Sequence, residues 1–110
     1  MILTFNQALA KPLIKTVSRN DEKGIFQVCV GIIDTIITIM VLSRGDGTYV
    51  TTQDYAVKTD WQAGPYRVRY TPYEIPGEAL DNALSTYCDY YELAVHNGYK
   101  PKASWFVRLM

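Results

Sequence analysis

The stretch IFQVCVGIIDTIITIMVLS, from Ile25 to Ser43, restricts the fold more than any other part of the chain. It approaches the length of a membrane span, for which about 20 consecutive apolar residues are needed. Asp34 stands at its centre, however, and a carboxylate there costs about 2.5 to 3.5 kcal/mol on an insertion scale. Val, Ile and Thr dominate the run, and such β-branched residues suit the pleated surface of a strand better than a lone helix. The stretch therefore reads as two buried antiparallel strands, Ile25 to Ile32 and Ile36 to Ser43, with Ile33-Asp34-Thr35 as their connection.

Polar punctuation extends the sheet in both directions. Asn20 to Gly24 is a loop that would join a strand over Leu13–Ser18 to Ile25, and Arg44-Gly45-Asp46-Gly47 is a turn that would feed Thr48–Thr52. Tyr66-Arg67-Val68-Arg69-Tyr70 alternates strictly, which predicts a strand with its tyrosines and its arginines on opposite faces. Ala103 to Leu109 predicts a last strand, and Asp54 to Pro65 a long connection. Near the start, Asn6 is placed to cap a short helix running to Ala10, ended by Pro12.

One long helix is well punctuated. Pro76 and Gly77 open it, Glu78 sits in its first turn, and Asn97-Gly98 closes it. Leu80, Leu84, Tyr87, Cys88, Tyr91 and Val95 recur at helical spacing and form one apolar stripe. The expectation is a single α+β domain over residues 1–110, with about five or six mainly antiparallel strands and the C-terminal amphipathic helix packed on one face.

Charge and chemistry narrow the function classes. Eleven basic and eleven acidic residues cancel, so no global field draws the chain to nucleic acid or an anionic membrane. Cys29 and Cys88 fall in apolar surroundings without a Cys-x-x-Cys spacing, and the first residues do not resemble a signal peptide, so reduced thiols and a cytoplasmic location are expected. His96 is the sole histidine, which offers no zinc motif; it reads as a helix-end residue, or as a general base beside Asp89 or Glu92. Arg44-Gly45-Asp46 spells an integrin-recognition tripeptide but reads as a turn, and no phosphate-binding glycine loop is present. Neither a metal, a cofactor nor a catalytic set is expected from these residues.

Two features point instead to binding. Tyr49, Tyr55, Tyr66, Tyr70 and Tyr73 accompany Trp61 in a segment without a leucine, and such amphipathic rings anchor interfaces. Glu78, Asp81, Asp89 and Glu92 share a narrow stripe on a helix that has no Lys or Arg. Tyr55, Trp61, Tyr73, Glu78, Asp81, Asp89 and Glu92 are thus the expected partner-binding residues of a non-enzymatic interaction module, of the kind a bacteriophage or mobile element uses to occupy a host protein. A nucleic-acid surface built on Arg67, Arg69, Lys100 and Lys102 with tyrosines is the alternative, and a small enzyme centred on Asp34, His96 or a tyrosine a second one. Sheet edges, together with Trp105 and Phe106 in the last strand, further predict a homodimer.

Overall fold

Thr4 caps the first helix with a capping box: its side chain accepts the Gln7 N–H while the Gln7 side chain accepts the Thr4 N–H. The helix that follows, α1, is Phe5–Leu9, so the cap lies two residues before Asn6. The structure, a computed structural model, describes residues 3–109. Strands β1 (Ile14–Asn20), β2 (Ile25–Val30), β3 (Ile33–Ser43) and β4 (Tyr49–Gln53) then form an antiparallel meander in chain order. Strand β5 (Tyr55–Val57) leaves that sheet and pairs with β6 (Phe106–Arg108), which follows a single 3-10 turn at Ala103–Trp105. Among the described residues six strands are thus divided between two sheets, and α2 (Pro76–His96) covers one face of the larger.

The core explains this arrangement. Phe26, Val28, Val30, Ile37 and Ile39 alternate inward from β2 and β3, and Leu80, Ala83, Leu84, Tyr87, Tyr91 and Ala94 meet them from α2. Each large aliphatic side chain so buried contributes about 1.5 to 3 kcal/mol of transfer free energy. Val95 departs from the expected stripe: Ala94 is buried in its place and Val95 is exposed. On the outer face the register sets Ser18 against Gln27 and Gln27 against Thr38. The Ser18 hydroxyl donates to the Gln27 carbonyl at 2.8 Å, and the Gln27 amide donates to Thr38 Oγ1 at 3.3 Å, so a polar ladder crosses three strands.

The structure moves the central turn. Val30 pairs with Ile33, leaving Gly31 and Ile32 as the loop, and Asp34 is an exposed residue of β3. Gly31 has φ +58° and Ile32 does not have a positive φ, the residue order that a type II′ hairpin requires. Tyr91 of α2 lies directly over Gly31, and the Ile32 N–H donates to its hydroxyl oxygen at 3.1 Å. At the opposite end of α2, Gly77 lets the Leu3 carbonyl approach where a side chain would collide with it. Lys11 Nζ and Asp81 Oδ1, 2.5 Å apart, tie the segment after α1 to the same helix.

One further expectation changes. Tyr66 to Tyr70 is not a strand: only Tyr66 makes a bridge, to Val57, and Tyr66 and Tyr70 are both exposed. Trp105 and Phe106 are buried within the chain, at 1% and 6% exposure. The β1 edge carries an irregularity between Thr16 and Ser18, flanked by Lys15 and Arg19, and bulges and charges of this kind discourage strand addition. Arg44 to Gly47 forms the β3–β4 turn as expected, its Asp46 carboxylate accepting the Thr48 N–H at 3.0 Å.

Cys29 and Cys88 are buried free thiols, and burial pushes Cys88 up to about 11. A raised thiol pKa withholds the reactive thiolate. Titration with an aromatic disulfide reagent at about pH 8 is therefore expected to show almost no reaction in the native protein and two thiols in denaturant. Rapid native labelling of Cys88 would contradict its packing.

Candidate interaction site

Trp61 stands on a loop whose conformation is set by its own polar groups. Val57 and Tyr66 exchange backbone hydrogen bonds of 3.0 and 2.8 Å that close the loop at its base. Inside it, the Gln62 side chain accepts the Thr59 N–H at 2.7 Å and donates to the Val57 carbonyl at 3.1 Å. Lys58 Nζ donates to the Gln62 carbonyl at 2.8 Å, and the Trp105 indole N–H donates to the Asp60 carboxylate at 3.1 Å. Lys102 Nζ reaches the same oxygen at 3.0 Å. The Trp105 donor and then Lys102 hold the Asp60 carboxyl below the usual carboxylate range. Trp61 is presented by a loop anchored at both of its flanks.

That loop meets the C-terminal half of α2. Trp61, Asp89, Tyr90 and Leu93 line a shallow depression of about 230 Å³. The Tyr66 and Tyr90 rings pack beside it with centroids 5.0 Å apart. Trp61 is 48% exposed, Tyr66 37% and Leu93 39%, so three large apolar side chains face solvent around one acidic group. Successive residues on a helix are 100° apart, which puts Tyr90 and Leu93 on one side of Asp89 and the exposed Glu92 on the other. The result is an aromatic patch with an acidic border. Neither Asp89 nor Glu92 has an ion-pair partner among the described residues.

Of the residues expected to bind a partner, Trp61 and Asp89 come together here and Glu92 borders them. The others lie elsewhere. Tyr55 is half-buried against the core with the Arg108 guanidinium 5.6 Å from its ring centroid, and its carbonyl accepts the Tyr87 hydroxyl at 2.6 Å. Burial, and then Asp54, push the Tyr87 phenol well above its ordinary value and keep it a donor. Tyr73 exchanges backbone hydrogen bonds of 2.7 and 2.9 Å with Tyr49 and packs on the core. Glu78 lies roughly three turns before Asp89, about 16 Å along the helix axis, and Asp81 is occupied by Lys11. Sequence reasoning missed Tyr90 and Leu93. Their signal was position, since both are large apolar residues off the buried stripe of an otherwise amphipathic helix.

Asp34 and His96 are exposed, on β3 and at the end of α2, and among the described residues no three metal-ligating side chains converge. No described helix is long and apolar enough to cross a membrane. No family model matches this chain. No curated protein matches it. No solved structure matches it either.

Proposed function

We propose that this protein is a non-enzymatic interaction module that engages another protein through Trp61, Tyr66, Tyr90 and Leu93, with Asp89 and Glu92 orienting a basic surface of the partner. The observation that carries this reading is a half-exposed tryptophan held on an internally bonded loop. Its presentation limits the conformational entropy lost on binding, and tryptophan and tyrosine dominate the energetics of protein interfaces. An acidic border without internal cations leaves its field available for steering.

The test begins with the partner recovered on immobilised protein from the native host and then purified. Truncation of a central aromatic costs about 2 kcal/mol or more, so Trp61→Ala is expected to weaken binding by about thirtyfold, chiefly through faster dissociation. Charge reversal at Asp89 and Glu92 to lysine is expected to slow association and flatten its salt dependence. Folded variants of both kinds that bound the partner with unchanged kinetics would remove this patch as the interface.

A further inference from the structure

A second surface has a different chemistry. The chain has five arginines, and three of them sit against a carboxylate: Arg19 on Asp21, Arg44 on Asp46 and Arg108 on Asp54. Arg67 and Arg69 have no such partner among the described residues, and both are exposed. Arg67 lines a cleft of about 330 Å³ with Val68, Tyr70, Thr51, Thr52 and Gln53. This cleft runs between β4 and the extended segment that follows Tyr66. Tyr70 is 65% exposed, which leaves much of its ring open to solvent. The Gln53 amide donates to Thr51 Oγ1 at 2.6 Å, fixing two polar side chains on the strand wall. No carboxylate lines the cleft.

We infer that this cleft binds single-stranded nucleic acid, one nucleotide at a time. A guanidinium matches a phosphate in charge and in its forked donor geometry. An open tyrosine ring is a platform on which any base can stack. The Thr52 hydroxyl and the Gln53 amide can meet a base edge, since each both donates and accepts. Strict strand alternation would have put the tyrosines under a covering layer and left the arginines alone. Because residues 67–70 are not paired as a strand, Arg67 and Tyr70 instead line the same cleft. Arg69, exposed and two residues beyond Arg67, lies outside the cleft's lining and is the second cation of the inferred site. A chain of zero net charge adds no long-range pull, so binding depends on these few contacts.

Fluorescence anisotropy with a labelled oligothymidylate tests the inference. At about 150 mM salt a dissociation constant between about 1 and 100 µM is expected, the range of sequence-independent binding, and tighter binding at lower salt. Two phosphate contacts on a single strand give a slope of roughly −1.4 in log affinity against log salt. Tyr70→Ala is expected to weaken binding about tenfold through lost stacking, and Arg67→Ala to weaken it and to halve the salt slope. Both residues are exposed, so the variants keep the fold, which circular dichroism verifies. Trp61→Ala is expected to bind the oligonucleotide as wild type does, which separates this site from the protein-binding patch. Absence of binding at low salt would overturn the inference, as would equal affinity in the Arg67 and Tyr70 variants. Competition by thymidine monophosphate as effective, per nucleotide, as the oligomer would assign the cleft to a free nucleotide and overturn the strand.

Discussion

Gly31→Ala is expected to destabilise the protein by about 3 kcal/mol or more, lowering Tm by roughly 10 °C or more. Two separate costs combine. At φ +58° an alanine pays about 1 to 2 kcal/mol for the left-handed conformation. Its Cβ would also fall on the ring atoms of Tyr91, which must move to admit it. That ring has little freedom, because it packs edge-on against Trp105 with centroids 5.6 Å apart and its hydroxyl holds the Ile32 N–H. Overpacking of this kind forces side chains off their rotamers rather than displacing flexible atoms. A double-mutant cycle with Tyr91→Ala separates the two costs: the steric part disappears when the ring is gone, so the double variant should be less destabilised than the sum of the single ones. A Gly31→Ala protein that melted within a few degrees of wild type would show that the turn does not have this geometry.

The same turn shows where sequence reasoning reached its limit. β-branched density identifies the two strands, but local pattern alone places the break between them at the acid. In the structure Asp34 simply faces outward from an eleven-residue strand, and the chain reverses at the glycine three positions earlier. A carboxylate and a glycine are both turn formers in local terms; what decided between them was Tyr91, more than fifty residues away, which needs a position without a side chain. Helix α2 was legible because proline, glycine and a 3.6-residue stripe all agreed over its whole length. Strand β5 was not, since three residues acquire strand character only by pairing with Phe106–Arg108. Tyr66 to Tyr70 is the converse: perfect alternation describes an extended segment, but no neighbouring strand pairs with it beyond Tyr66. The proposed interaction patch shares this dependence on tertiary contact. Trp61 and Asp89 could each be singled out, but their juxtaposition follows from a loop closed by Val57, Gln62 and Tyr66, which no local pattern announces.

Trp105 joins the small sheet, the Trp61 loop and α2, and its loss is expected to have the largest effect of any side-chain truncation. The indole is 1% exposed, meets the Tyr91 ring on one side and donates to Asp60 on the other, while its backbone carbonyl accepts the Lys58 N–H at 2.7 Å. Trp105→Ala is expected to cost about 3 to 5 kcal/mol, the range for emptying a buried aromatic site. Against a total stability of about 5 to 15 kcal/mol, that is enough to unfold a marginal domain, and denaturant titration measures it. Trp105→Phe keeps most of the packing and removes the indole donor, so it should be much the milder change. Its pH dependence identifies what was lost. Asp60 has its carboxyl pKa lowered first by Trp105 and then by Lys102, and a lowered carboxyl pKa stabilises the folded state above the unfolded value of about 3.9. Protonation removes that contribution as pH falls through the folded value. The stability gap between wild type and Trp105→Phe should therefore be constant near neutral pH and narrow below about pH 4. A gap that stayed unchanged into acid would mean that packing alone, and not the Asp60 carboxylate, holds the indole in place.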